Sequence, residues 1–238
     1  MTASSRLYFR QLLAGRDFAQ SDAVARSMAN YAYVIGDARS REAVVVDPAY
    51  RPGEVVACAQ DDDLRVVGVV ATHYHPDHIG GSLAGWSISG VADLLAHWDV
   101  PVHAQAAEVG WIVESAGVDA AAIVAHAPGD RLEVGELSIT LIYAPGHTPG
   151  SQCLLVEDRL VTGDVLFLQG CGRTDLPGSD PAEMYRTLSE RLAAIPASTW
   201  VYAGHAYDPV ATDTLENVRA TNAVLAPMSA QQWRAAFA

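Results

Sequence analysis

Four side chains able to bind a metal fall within six positions of the chain: His73, His75, Asp77 and His78, in Thr72-His73-Tyr74-His75-Pro76-Asp77-His78. In an extended stretch alternate residues face the same way, so His73 and His75 can grip one ion. Pro76 makes the chain change direction, which lets Asp77 and His78 point at a second ion nearby. Imidazole and carboxylate donors suit Zn, Fe, Mn or Co. The lack of cysteine among them argues against a closed structural zinc site. Of the eight histidines, five (His73, His75, His78, His147 and His205) lie in three loop motifs, each directly after a stretch that reads as a strand. His97, His103 and His126 stand apart from these motifs and read as ordinary core or surface residues.

The elements that must position these loops follow from pattern and punctuation. Residues 6–13 read as a first strand. Residues 31–35 and 42–46 form a strand pair around the turn Gly36-Asp37-Ala38-Arg39. Residues 52–60 read as a short helix, and the Val-rich stretch 64–71 as a buried strand running straight into the first histidine motif. Helices are expected over 91–98 and 105–115, and a hairpin over 131–143 around Gly135. The tight loop Pro145-Gly146-His147-Thr148-Pro149-Gly150 breaks the hairpin, and short strands follow at 153–156, 160–162 and 200–202. Gly163-Asp164 and Gly204-His205 end the last two. Asp180 with Pro181 and Glu183 makes a helix start of the capping-box kind, after which Met184, Leu188, Leu192 and Ile195 share one face. Strands in runs with helices between them indicate sheets covered by helices, in one α/β domain spanning residues 1–238.

Composition narrows the partners. The net charge of −13 argues against nucleic acid and against an anionic membrane surface, both of which need cationic protein. All fifteen basic residues are arginine, so lysine Schiff-base chemistry is excluded. Three cysteines without paired spacing (Cys58, Cys153 and Cys171) point to reduced thiols. Residues 1–10 carry no apolar signal core, and no apolar run approaches a membrane span, so a cytoplasmic location is expected. An oligomer is compatible with all of this.

The ordered set Thr72-His73-Tyr74-His75-Pro76-Asp77-His78, Pro145-Gly146-His147-Thr148-Pro149-Gly150, Thr162-Gly163-Asp164 and Gly204-His205 resembles the metallo-β-lactamase-fold superfamily, over about residues 28–207. The resemblance implies an αββα sandwich, two β-sheets flanked by helices, with metals at one edge. It implies His73, His75 and His147 on a first metal, Asp77, His78 and His205 on a second, and Asp164 bridging them. Asp47, in Val46-Asp47-Pro48, matches a family position near the metals and is expected to orient a ligand histidine.

Within the family, Gly170-Cys171-Gly172-Arg173-Thr174-Asp175 resembles a segment shared by glyoxalase II-like hydrolases and persulfide dioxygenases. Leu176-Pro177-Gly178-Ser179-Asp180 is closer to the hydrolases. Gly170-Cys171 and the opening Phe9-Arg10-Gln11-Leu12 are closer to the dioxygenases. Arg173 and Asp175 either form a structural salt bridge or bring Arg173 to an anionic substrate group. Asp77, Asp164 and Arg173 are the candidate catalytic residues. Residues 206–238 are too short for the helical region with which full glyoxalase II enzymes bind glutathione, and the stretch 82–102, with Trp86 and Trp98, could form a flap. The expected activity is thioester cleavage on a small thiol-derived substrate with two divalent ions, zinc first, iron or a mixed pair as alternatives. A mononuclear iron persulfide dioxygenase is the second expectation, and a metal-binding protein without catalysis the third.

Overall fold

The computed structural model describes residues 6–237, so the first five residues of the stretch read for a signal core lie outside the described residues. Strand β1 (Leu7–Leu13) leads through helices α1 (Ala14–Asp17) and α2 (Ala23–Met28) into strands β2 (Tyr31–Asp37) and β3 (Glu42–Val46). Helix α3 (Pro52–Gln60) returns the chain to β4 (Arg65–Val70). A helical turn α4 (Pro76–Ile79), a small hairpin of β5 (Gly81–Leu83) and β6 (Trp86–Ile88), and helix α5 (Val91–Leu95) come next. Strand β7 (Val102–Gln105), helix α6 (Val109–Ala116) and strand β8 (Ile123–His126) close the first half. The second half begins with β9 (Arg131–Val134), β10 (Leu137–Tyr143), β11 (Gln152–Val156) and β12 (Arg159–Gly163). It ends with α7 (Pro181–Arg186), β13 (Trp200–Ala203), β14 (Asp213–Thr214), α8 (Leu215–Thr221) and α9 (Ala230–Phe237).

Two six-stranded sheets result, ordered β1-β2-β3-β4-β7-β8 and β14-β13-β12-β11-β10-β9. Strands β3, β4, β7 and β8 run parallel, which requires covered faces on both sides. The alternation along β2 and β3 supplies them. Tyr33, Ile35, Val44 and Val46 meet Val134, Ile139, Leu141 and Leu154 of the second sheet. Val34, Ala43 and Val45 turn the other way, onto Val55 and Val56 of α3, Leu94 of α5 and Ile112 of α6. The outer face of the second sheet is covered in the same manner by Met184, Leu188, Leu215, Val218 and Trp233. Each fully buried Val, Leu, Ile or Met among these contributes about 1.5–3 kcal/mol. The expected sandwich of two sheets flanked by helices is therefore what the sequence forms. Among the described residues no helix is long and apolar enough to cross a membrane.

Several local expectations are corrected. Residues 105–115 are not one helix: Gln105 ends strand β7, and the α-helix begins at Val109. The strand has no local signature in the sequence because its polar residues are buried in place, Gln105 donating to Gln152 Oε1 at 3.1 Å. The helix expected over 91–98 stops at Leu95, and Trp98 packs on the core while Trp86 stays exposed on β6. Asp180 caps α7, accepting from the Ala182 and Glu183 amides, but Glu183 does not close a capping box; it pairs with Arg186 and Arg191. Beyond Arg186 the helix widens into a π-helical turn over Thr187–Arg191, yet Met184, Leu188, Leu192 and Ile195 all remain buried.

Candidate metal centre

Four chain segments end at one edge of the sandwich, three of them straight off strands with a parallel partner. Strand β4 delivers residues 71–75 and the turn α4, the β10–β11 connection delivers His147, the end of β12 delivers Asp164, and the end of β13 delivers His205. His73, His75 and His147 come together with ligand atoms within 4.8 Å of one another, and so do Asp77, His78 and His205. In the first cluster His75 Nδ1 faces His147 Nε2 at 2.9 Å. In the second, His78 Nε2 faces His205 Nε2 at 3.2 Å, and Asp77 Oδ2 lies 3.5 Å from each. Asp164 stands between the clusters: its Oδ2 is 3.7 Å from His147 Nε2 and 3.2 Å from His205 Nε2.

Each ring is oriented by what its other nitrogen binds. His147 Nδ1 donates to the Arg173 carbonyl at 2.8 Å, and His205 Nδ1 donates to the Met28 carbonyl at 2.6 Å. His78 Nδ1 donates to Asp47 Oδ2 at 3.0 Å. Thr72 gives its hydroxyl proton to Asp47 Oδ2, so its oxygen is free to accept from His73 Nδ1 at 3.0 Å. Four rings thus turn Nε2 inward, and His75 turns Nδ1.

The site fits a cation. His73 Nε2 and Asp164 Oδ1 are buried without a hydrogen-bond partner, whereas buried polar atoms are ordinarily satisfied. Burial and the neighbouring imidazoles hold His73 far below the usual histidine range and bring His75 to about 3, so this cluster offers neutral, ligating rings. Burial opposes charge on His78 as well, but Asp164 and Asp77 outweigh it and raise that ring well above its ordinary value. For Asp164 burial works upward, and His205 and His78 overcome it, holding the carboxylate ionised.

Two close approaches explain local glycines. A Cβ at Gly172 would sit 2.0 Å from the Asp164 carbonyl oxygen and 2.7 Å from His147 Nδ1. A Cβ at Gly204 would sit 2.3 Å from Asp164 Oδ1. Arg173 reaches the rim of the cavity, where its guanidinium binds Asp175 through two contacts of 2.9 and 2.8 Å with both side chains largely exposed. Cys171 lines the same cavity, and burial pushes its thiol up to about 12.

Two residues were not found from the sequence. Glu108, fully buried, accepts from the Tyr74 amide (2.8 Å), the Thr148 hydroxyl (2.7 Å) and the Gly150 amide (2.6 Å), and so ties the first ligand loop to the second. Asn30 donates to Asp77 Oδ2 at 2.9 Å. An acid in an otherwise apolar stretch was the one signal for Glu108; Asn30 gave none. His97, His103 and His126 lie away from the centre, the last two bonded to each other at 2.9 Å.

The family model described as the metallo-beta-lactamase superfamily matches residues 27–205. A hydroxyacylglutathione hydrolase of Pseudomonas paraeruginosa is 36% identical over 210 residues, covering 86% of this chain and 70% of that protein. A mitochondrial persulfide dioxygenase ETHE1 of Bos taurus is 30% identical over 199 residues, covering 81% of this chain and 70% of that protein. The crystal structure of ETHE1 from Myxococcus xanthus superposes with a TM-score of 0.76 at 28% identity, over 95% of this chain and 88% of that one.

Proposed function

Because the chain belongs to the metallo-β-lactamase superfamily, we propose that it is a metal-dependent hydrolase of the glyoxalase II type that cleaves a thioester, with residues 1–238 acting as one domain. The observation that supports this most is the place of Asp164, whose Oδ2 faces His147 of one cluster and His205 of the other. His73, His75 and His147 would hold one divalent ion, Asp77, His78 and His205 a second, and Asp164 both, with zinc as the first candidate. Such ions supply Lewis acidity, lowering the pKa of water to about 7 and polarising a carbonyl.

The chain's own residues then have limited tasks. The Asp47, Thr72, Met28 and Arg173 acceptors keep the rings turned inward. Asp77, steadied by the Asn30 amide, offers a carboxylate oxygen at the cavity floor that can take a proton from an attacking water. A thiolate leaves without help because its conjugate thiol has a pKa of about 8.5, so a site with no strong general acid suits a thioester better than an amide.

A second reading is persulfide oxidation, with one Fe(II) held by His73, His147 and Asp164. The likeness to persulfide dioxygenases over four-fifths of the chain favours it. One experiment separates the two: zinc-loaded and anaerobically iron-loaded protein are assayed for thioester cleavage and for oxygen uptake with a low-molecular-weight persulfide. Cleavage by the zinc form is expected. Rapid stoichiometric oxygen uptake by the iron form, without any thioester cleavage, would reverse the choice.

A further inference from the structure

The walls of the cavity above the metal centre are apolar. Its volume is about 460 Å³, and above the ligands it is lined by Met28, Leu83, Phe167, Leu176 and Pro177. Leu83 comes from the β5–β6 hairpin, where it pairs with Trp86 across a two-residue turn. The opposite wall is fixed in place: Tyr74 donates its hydroxyl proton to the Pro177 carbonyl at 2.8 Å and stacks on Trp111. Ser179 donates to the His147 carbonyl at 2.8 Å and accepts from the Leu176 amide at 3.2 Å. This wall is therefore tied to the ligand loop itself.

Charge is scarce. Arg173 is the one arginine among the described residues lining the cavity, and Asp175 already neutralises it through both of its carboxylate oxygens. The chain as a whole carries −13, a field that disfavours an approaching anion. Glutathione brings two carboxylates and an ammonium group. Seating it here would desolvate those charges against leucine, phenylalanine and proline with no free partner, a costly arrangement. An uncharged apolar group gains instead about 25 cal/mol for each Å² removed from water.

From this we propose that the substrate is a small thiol derivative whose thiol and acyl parts are both uncharged and apolar, an alkyl or aryl thioester rather than a glutathione ester, with Leu83 and Leu176 as the residues that select it. The proposal rests on the reading of the site as one for a thiol-derived substrate. It is separable from that reading because selection is measurable as binding. The probes are 2-phenylethanethiol and glutathione, two alkyl thiols, titrated calorimetrically into the zinc-loaded full chain. 2-Phenylethanethiol is expected to bind at least about tenfold more tightly, a difference of about 1.4 kcal/mol. Leu83→Glu and Leu176→Glu should each remove most of that preference without loss of bound zinc, and Leu83→Arg should tighten glutathione. Equal or tighter binding of glutathione by the unaltered protein would overturn the proposal, as would a preference that survives both glutamate substitutions. Turnover of S-(2-phenylethyl) thioacetate and of S-lactoylglutathione is measured alongside. If neither ester is cleaved while the binding preference holds, the hydrolase reading falls and the apolar substrate class stands.

Discussion

Asp47 Oδ2 accepts a hydrogen bond from His78 Nδ1 at 3.0 Å, both side chains buried, while Oδ1 accepts from the Thr72 amide at 2.8 Å. One carboxylate therefore sets a ring of the second cluster and the start of the first ligand loop. Asp47→Ala should weaken metal binding about 10- to 100-fold, as loss of an orienting partner typically does. Competition against a chromophoric chelator measures it, with circular dichroism to show that the fold is kept. Unaltered affinity would mean that His78 is held by its packing alone.

His73 belongs to the first cluster, its Nε2 buried and unpartnered. The unaltered protein is expected to carry two ions per chain, and His73→Ala to lose at least the first. Metal analysis by mass spectrometry after gel filtration reads the result, and unchanged content would take His73 out of the ligand set.

Cys171 borders the cavity, but burial keeps its thiol protonated, up to about 12, so it is no nucleophile at neutral pH. Cys171→Ser should keep activity within about threefold, a change of less than 1 kcal/mol. Its neighbour behaves differently. Gly172→Ala puts a methyl group against His147 and should cost far more, in metal affinity as well as in rate. Parallel assays of the two variants check both statements. Near-complete loss in Cys171→Ser with metal intact would give the thiol a chemical role.

Far from the metals, Asp37 at the end of β2 accepts from the Glu136 and Arg39 amides, each at 2.9 Å, and faces Arg6 at 3.6 Å. Burial raises its pKa, but those amides and the guanidinium win and hold it below the ordinary carboxylate range. A depressed folded-state pKa means that stability is present above the unfolded value of about 3.9 and is lost as the pH falls through the folded one. Asp37→Asn should therefore destabilise metal-free protein by about 1–3 kcal/mol at pH 7 and by less near pH 3. Urea unfolding of both proteins at the two pH values tests this. A gap that does not shrink in acid would show that the carboxylate's charge is not what matters.

Legibility followed distance along the chain. Strand β3 and helix α3 match their expected limits because alternation and a proline at the first helical turn are local signals. The cluster of His73, His75, Asp77 and His78 was visible for the same reason. Strand β7 was hidden because His103 and Gln105 look like surface residues, and only partners on other strands make them buriable. Glu108 was hidden likewise: its three donors lie at positions 74, 148 and 150, which no local pattern connects.

The carbonyls that orient His147 and His205 belong to Arg173 and Met28, and the side chains of those same two residues line the cavity. A backbone carbonyl is present whatever side chain follows it. Lineage change at positions 28 and 173 can therefore reshape what the cavity accepts while the imidazoles keep their bearings. A mutational scan at these two positions should return variants that differ in substrate range at constant metal content. In such a layout the substrate a cavity accepts can be changed without touching the groups that aim its ligands.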